Sequence, residues 1–197
     1  MRSIHVSSQT RERVREAMDA TTRADFLPED VRHLADVDRP VMIGWEATNS
    51  QPSTVARMLE LLDPQPGQRV LDVGSGSGWT TAILAALVGA TGTVIGVERV
   101  PELVEYARAR LAAAGIEATI AAASAGVLGL PAEAPFDRIL VSAEFGRMPD
   151  DLIAQLADGG RMVAPVDGRM TVVDLQDGTP RVREDAGLYS FVPLRDD

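Results

Sequence analysis

The chain has 197 residues, of which 45% are hydrophobic and 24% charged, and its formal net charge at pH 7 is −10. This length and composition are typical of one globular domain with a sizeable core. The negative charge disfavours nucleic acids and anionic membranes as partners, since both carry phosphate. With no cysteine, and only His5 and His33 as histidines, we expect no disulfide framework and no metal centre.

The N-terminus does not have the pattern of a secreted or membrane protein. Its first ten residues, MRSIHVSSQT, lack the apolar run of a signal peptide, and no apolar stretch elsewhere has membrane-spanning length. We therefore expect a cytoplasmic protein. The sequence leaves the oligomeric state open.

The first third of the chain is predicted to form a helical cap. The stretch QTRERVREAMDATTRADFLPEDVRHLAD begins with helical periodicity and becomes irregular at residues 26–28. A second helix is predicted over residues 52–62, where apolar side chains share one face. We assign residues 1–63 to the cap and the loop that precedes this second helix, and residues 64–197 to a core, within a single domain.

Strands and helices then alternate regularly. In chain order we predict strand 69–73, helix 80–88, strand 93–97, helix 101–114, strands 118–122 and 138–141, and helix 150–156. Pro101 fits the first turn of its helix, and Gly115 fits the end. Alternation of this kind predicts a parallel sheet with helices on its faces.

The C-terminal region changes character. RMVAPV, MTVVDL and SFVPL are strand candidates separated by glycine- and aspartate-rich turns. Such short connections permit only antiparallel pairing. The predicted fold is therefore α/β: a doubly wound, Rossmann-like sheet, mostly parallel, with antiparallel C-terminal strands and an N-terminal helical cap.

The stretch VLDVGSGSGW (residues 70–79) indicates a nucleoside-binding site. Residues 74–78, here named the glycine bend, lie between a predicted strand and helix, where backbone N–H groups can approach a ligand closely. Glu98 follows the next strand, at a spacing where a carboxylate accepts hydrogen bonds from ribose hydroxyls. Either feature alone also fits a tight turn or a solvated acid, but the pair favours a ribose-bearing cofactor.

The residue after the bend narrows the class of cofactor. Dinucleotide sites require a small residue where Trp79 stands, so a nicotinamide or flavin dinucleotide is disfavoured. A cofactor with one ribose, no phosphate and a cationic sulfur suits an acidic crevice better. Asp72 has two interpretations: it adds negative charge near that cation, or it accepts backbone N–H bonds that hold the bend.

Several stretches together carry a family resemblance. RVLDVGSGSGW, GTVIGVERVPELVEYARARL, APFDRILVSA, LADGGRMVAPV and FVPL, with the upstream IGWEATNSQPSTVARMLELL, resemble the protein-L-isoaspartate O-methyltransferases. The last stretch is similar to the family's substrate loop, and its residues 45–50 are here named the acceptor loop. The resemblance spans nearly the whole chain and implies a methyltransferase of the Rossmann-like class.

This resemblance implies methyl transfer from S-adenosyl-L-methionine to the carboxylate of an L-isoaspartyl residue in a peptide or protein, as a step of protein repair. An ionised carboxylate needs no strong general base, which agrees with the absence of a suggestively placed histidine or cysteine. Ser50 and Thr48 match the positions at the reacting carboxylate. Ser50 also fits a structural alternative, the N-cap of the following helix.

The remaining positions implied by the resemblance fall into two groups. Those expected at the cofactor are Asp72, Gly74, Ser75, Gly76, Ser77, Gly78, Trp79, Glu98, Arg99, Ser124, Ala125 and Gly126. Those expected at the substrate are Trp45, Glu46, Asn49, Ser142, Val192 and Leu194.

The chain departs from the family pattern at three places. The acceptor loop has Glu46-Ala47 for the usual Gly-Gln and Asn49 for isoleucine, Ala125 replaces an acid expected near adenine, and residues 143–146 read AEFG rather than AAAP. Two alternatives to isoaspartyl repair follow. One is a relative that methylates an aspartate of a dedicated, modified peptide. The other is a degenerate module that binds the cofactor without turnover.

Overall fold

The computed structural model describes residues 3–193, which are built around a seven-stranded sheet. Its strands are β3 (Arg69–Val73), β4 (Thr93–Glu98), β5 (Thr119–Ala122), β6 (Phe136–Val141), β7 (Leu156–Val166), β8 (Arg169–Gln176) and β9 (Thr179–Glu184), and β1 (Val41–Gly44) and β2 (Ala47–Asn49) form a separate hairpin. The α-helices are α1 (Ser8–Ala20), α2 (Pro52–Leu62), α3 (Trp79–Val88), α4 (Pro101–Ala113) and α5 (Asp150–Ile153). Within residues 3–193, no helix is both long and apolar enough to cross a membrane.

The order of the strands determines at which edge of the sheet a ligand can bind. The sheet runs β5-β4-β3-β6-β7-β8-β9, with parallel pairing from β5 to β7 and antiparallel pairing from β7 to β9. The predicted mostly parallel sheet with antiparallel C-terminal strands is confirmed. Successive strands are added on one side of β3 up to β5 and on its other side from β6 onward, so the strand order reverses between the parallel neighbours β3 and β6. Ligands of open α/β sheets bind beyond the carboxyl ends of the strands at such a point.

Apolar residues alternate between the two faces of the sheet. On β3, Val70 packs with α1 to α4, whereas Leu71 and Val73 pack on the opposite face with α5 and residues from the segment 128–134. These β3 residues are almost fully buried. Both faces are therefore covered, as parallel strands require.

The N-terminal cap follows the prediction of a helix that turns irregular. After α1, the chain forms two short 3-10 turns, Arg23–Phe26 and Glu29–Leu34, and then the β1–β2 hairpin. The alternative role of Ser50 as a helix cap is wrong, because the N-cap of α2 is Gln51. The backbone N–H of Ser53 in the first turn of α2 is satisfied from outside, by the Asp38 carboxylate at 2.9 Å.

Two predictions near the C-terminus are wrong. The third antiparallel strand is β9 and not SFVPL; all six β9 side chains are exposed, so the sequence lacks the alternation that marks a half-buried strand. Residues 191–193 instead lie beside Glu144 through an isolated bridge to Pro193. The helix predicted over 150–156 ends at Ile153, because Leu156 already pairs with Phe136 as the start of β7.

A carboxyl group is buried in the centre of the sheet. Asp72 on β3 is fully buried, and its Oδ2 accepts a hydrogen bond from Thr81 Oγ1 on α3 at 2.7 Å. Its Oδ1 has no partner among residues 3–193. Burial raises the pKa of Asp72 to about 7, with a further rise from the charge of Glu98 and an opposing effect of the Thr81 bond.

This buried acid makes stability depend on pH. The folded chain keeps the Asp72 proton up to about pH 7, whereas the unfolded chain loses it near pH 4, so stability falls as pH rises through this window. Asp72→Asn keeps an acceptor for Thr81 and removes the titration. We expect the free energy of unfolding of the wild type, relative to this variant, to fall by roughly 3 kcal/mol between about pH 5 and about pH 8.

The measurement is urea unfolding of both proteins at several pH values. Glu105→Gln, at an exposed position on α4, is the control and should follow the wild type. A constant difference between wild type and Asp72→Asn across the window would contradict the prediction.

Candidate active site

A cavity of about 340 Å³ lies at the carboxyl ends of β3, β4, β5 and β6. Its volume is in the range of small-molecule sites. The predicted site residues that line it are Trp45, Glu46, Thr48, Gly74, Gly76, Glu98, Arg99, Ser124, Ala125, Ser142 and Val192. Those that do not are Asn49, Ser50, Asp72, Ser75, Ser77, Gly78, Trp79 and Gly126. Leu194 lies outside the described residues.

The glycine bend forms one wall of the cavity. Gly74, Gly76 and Gly78 have φ values of 79°, 54° and 88°, in the left-handed region that side chains disfavour. The N–H groups of Gly74 and Ser75 donate to the Val97 carbonyl at 2.9 and 3.1 Å, which fixes the bend against the end of β4. The bend therefore presents backbone, without side-chain bulk, at Gly74 and Gly76.

Gly78 serves helix packing instead of the cavity. A Cβ atom added there would lie 3.1 Å from the Cβ of Ala107 on α4, closer than ordinary contact. The helix α3 begins at the next residue. Close approach of α3 to α4 therefore requires a glycine at this position.

Glu98 joins the bend to the end of β4. Its carboxylate is 7% exposed; Oε2 accepts from Gly76 N at 2.9 Å, and Oε1 accepts from Arg99 N at 2.8 Å and Val100 N at 3.0 Å. A carboxylate has about four acceptor positions, so these three bonds leave Glu98, which lines the cavity, able to accept one more. The remaining capacity fits a ribose hydroxyl donor.

The acceptor loop forms another part of the cavity wall. Trp45 and Glu46 turn the β1–β2 hairpin with φ values of 50° and 57°, a conformation unusual for side chains of this size. Trp45 is 47% exposed at the cavity, and Thr48 is partly buried in it. The loop therefore brings an aromatic ring, a carboxylate and a hydroxyl to the cavity that the glycine bend also lines.

Two predicted contact residues point away from the cavity. Asn49 is buried between Arg23 and Ser77, with which its side chain makes hydrogen bonds. Trp79 is buried beneath the cap, where its Nε1 donates to the Thr21 carbonyl at 3.0 Å. Both side chains therefore join the N-terminal cap to the glycine bend and α3 instead of contacting the cavity.

The end of the cavity beyond β5 is formed by Ser124, Ala125 and the following loop. That loop is held by Gln155, which the sequence analysis missed. Its Oε1 accepts from Leu130 N at 2.8 Å, and its Nε2 donates to the Leu128 carbonyl at 2.8 Å. A buried glutamine in a predicted helix gives no sequence signal for this role, because its partners lie about 25 residues away.

The C-terminal segment closes the cavity beside β6, where Val192 and Pro193 line it. Glu144, a second residue that sequence analysis missed, holds this segment. Its Oε1 accepts from Gly168 N at 2.7 Å, its Oε2 accepts from Phe191 N at 3.4 Å, and its own N–H donates to the Val192 carbonyl at 2.9 Å. The sequence gives one signal for this role of Glu144, namely that residues 143–146 read AEFG where the family pattern has AAAP.

The described residues contain no group of three acidic or histidine side chains placed to hold a metal ion. The N–H groups of Gly74 and Gly76 are already bonded to Val97 and Glu98, so the polar side chains of the cavity lining are what a ligand would meet. These are the Glu98 and Glu46 carboxylates and the hydroxyls of Thr48, Ser124 and Ser142. Two carboxylates suit a neutral or cationic nucleoside.

Comparison with known proteins agrees with this geometry. Residues 3–197 match the family model described as protein-L-isoaspartate(D-aspartate) O-methyltransferase. A protein-L-isoaspartate O-methyltransferase of Aeropyrum pernix is 46% identical over 191 residues, covering 94% of this chain and 73% of its own. The enzyme of that name from Methanopyrus kandleri is 46% identical over 188 residues, covering 92% of this chain and 83% of its own.

Solved structures show the same fold. A Plasmodium falciparum protein described as a protein-L-isoaspartate O-methyltransferase, in complex with S-adenosyl-L-homocysteine, has a TM-score of 0.82 and 25% identity, covering 94% of this chain and 91% of that one. Another structure of that name has a TM-score of 0.80 and 24% identity, covering 96% of this chain and 62% of that one. The chain described here belongs to the protein-L-isoaspartate O-methyltransferase family.

Proposed function

We propose that this chain transfers a methyl group from S-adenosyl-L-methionine to the carboxylate of an L-isoaspartyl residue in a peptide or protein. The observation that carries the proposal is the composition of one cavity, which joins the glycine bend and Glu98 on one wall to the acceptor loop on the other. A donor held by the first wall and an acceptor held by the second would meet inside it.

The donor supplies an electrophilic methyl group on a positively charged sulfur. Gly74, Gly76 and Glu98 line the cavity; in this proposal the glycine backbone would face the methionine end of the donor, and the Glu98 carboxylate would accept from the ribose. Ala125 offers no acid at the far end, so adenine binding there would depend on packing against the loop that Gln155 holds.

The acceptor is a carboxylate that is ionised at neutral pH. An oxygen of this group forms the new O–CH₃ bond as the C–S bond breaks, and no proton has to move. The chain's task is therefore to align the two groups and exclude water. Thr48 and Ser142 line the cavity, and their hydroxyls can orient the acceptor.

A second candidate function has one observation in its favour. Glu46 lines the cavity at the acceptor loop, and its negative charge disfavours a substrate carboxylate that has no cationic residue beside it. An aspartate within a dedicated peptide, with a cationic residue beside it, would suit such a wall. This alternative differs from repair only in the acceptor, so a substrate comparison separates them.

The direct test uses matched peptides that differ only in one aspartyl linkage. We expect the isoaspartyl peptide to gain one base-labile methyl ester and the normal aspartyl peptide to gain none, because the acceptor geometry differs by one methylene. Transfer to neither peptide would contradict the proposal. If S-adenosyl-L-homocysteine still bound, that result would favour a dedicated substrate or a module without turnover.

A second prediction concerns Glu98. Replacing it with Gln turns one acceptor oxygen into an NH₂ group, so the affinity for S-adenosyl-L-homocysteine should fall by at least about tenfold. The melting temperature should fall as well, because the carboxylate accepts from three backbone N–H groups. Calorimetric titration measures the affinity, with Glu102→Gln at an exposed position of α4 as the control. An affinity equal to wild type would remove Glu98 from the donor site.

A third prediction concerns the acceptor hydroxyls. Thr48→Val removes a hydroxyl from the cavity while keeping the side-chain shape, and kcat/KM for the isoaspartyl peptide should fall about tenfold with donor affinity unchanged. Steady-state kinetics with varied peptide gives this value. Ser50→Ala is the comparison: an equal loss assigns both hydroxyls to the acceptor site, and an unchanged value leaves Thr48 alone there. Full activity of Thr48→Val would contradict the assignment.

A further inference from the structure

We propose that Asn49 mechanically couples the acceptor loop to the glycine bend, so that donor and peptide strengthen each other's binding. This inference rests on the proposed function, since it requires that the bend holds the donor and the loop holds the peptide. Asn49 is then a positioning residue, because its side chain does not line the cavity.

The coupling begins at a buried cation. Arg23 is 6% exposed, and its guanidinium donates to the carbonyls of Val37 and Arg39 at 3.0 Å each, and to those of Asn49 and Ser50 at 3.2 and 3.0 Å. Burial lowers the pKa of Arg23, and the charge of Asp38 opposes that effect. Arg23 therefore fixes the backbone at the end of the acceptor loop through several bonds at once.

Arg23 also fixes the orientation of the Asn49 amide. Its Nε donates to Asn49 Oδ1 at 2.7 Å, and because arginine has no acceptor, the amide oxygen must face it. The amide NH₂ is thereby directed to the opposite side, where Nδ2 donates to Ser77 Oγ at 3.1 Å. Asn49 and Ser77 are 5% and 2% exposed, so this bond is protected from water.

Ser77 lies inside the glycine bend. The neighbouring Gly76 donates to Glu98, the residue proposed to hold the ribose, and Thr48 next to Asn49 lines the acceptor side. The bond between Asn49 and Ser77 therefore connects two adjoining segments that both line the cavity. A shift of either segment is transmitted to the other through one buried, directional contact.

A contact between Arg23 and Trp79 is a second link between the acceptor loop and the glycine bend. The Arg23 guanidinium lies 5.4 Å from the centre of the Trp79 ring, and Trp79 begins the helix that follows the bend. The same cation thus orders the acceptor loop and packs on the residue next to the bend. A bound donor that restrains the residual motion of the bend should also restrain the acceptor loop through these contacts, and a peptide that binds next then loses less conformational entropy.

The experiment measures peptide affinity by calorimetry with and without saturating S-adenosyl-L-homocysteine. In the wild type we expect this ligand to tighten isoaspartyl-peptide binding about tenfold, within the range typical of coupled sites. Asn49→Leu keeps the side-chain size and removes both hydrogen bonds, so the factor should fall to nearly one. Asn49→Asp should keep most of it, because its carboxylate can accept from both Arg23 and the Ser77 hydroxyl.

Two further variants guard against a general loss of structure. Ser77→Ala breaks the same contact from the other side with a smaller buried change, and it should lower the coupling factor as Asn49→Leu does. Asp185→Asn weakens the buried junction with Arg57 and Ile4, away from both segments, and should leave the factor unchanged. A melting temperature alone cannot separate these cases, whereas the coupling factor can.

The outcomes distinguish this inference from the proposed function. A wild-type coupling factor of one, or an unchanged factor in both Asn49→Leu and Ser77→Ala, overturns the role of Asn49 even when the enzyme methylates isoaspartyl peptides. A wild type that neither binds nor methylates such peptides instead overturns the proposed function. Loss of coupling in both variants with retention in Asn49→Asp and Asp185→Asn supports the inference.

Discussion

The shape of the cavity depends on the carboxylate of Glu98, which holds the glycine bend in place. Glu98 is the last residue of β4. Its carboxylate oxygens accept from the N–H of Gly76 in the glycine bend and from the N–H groups of Arg99 and Val100, which follow Glu98 in the chain. Without these bonds, a bend with three left-handed glycines would have many conformations, because each glycine loses backbone entropy when it is fixed. The site is therefore preorganised by the same group that is proposed to bind the ribose, which links the shape of the cavity to its chemistry.

Much of the fold could be predicted because its signals are local. Buried parallel strands such as β3 and β4 are continuous apolar runs, and the glycine bend is visible as alternate glycines. β9 could not be predicted, since it is an exposed edge strand whose backbone pairing with β8 is independent of side-chain pattern. SFVPL has the apolar composition of a strand but packs beside Glu144 instead, a choice that only tertiary contacts decide.

The general position of the candidate cavity could be predicted from the sequence, whereas the directions of some side chains could not. Motifs placed Glu98 and Thr48 beside one cavity, because strand ends and a hairpin fix where their backbone lies. The directions of Asn49 and Trp79 depend on partners 26 and 58 residues away, Arg23 and Thr21, and no local pattern encodes these contacts. The departure at Asn49 from the family's isoleucine thus concerns the support of the acceptor loop, and not the surface that would meet the peptide.

A crystal structure of the chain with S-adenosyl-L-homocysteine would show whether the glycine bend and Glu98 hold the nucleoside of the methyl donor. We expect ribose hydroxyls within hydrogen-bond distance of the Glu98 carboxylate, and the thioether sulfur on the side of the cavity that Thr48 lines. A nucleoside bound elsewhere, with Glu98 turned away from it and the bend covered by protein atoms, would rule out this role of Glu98 and the bend.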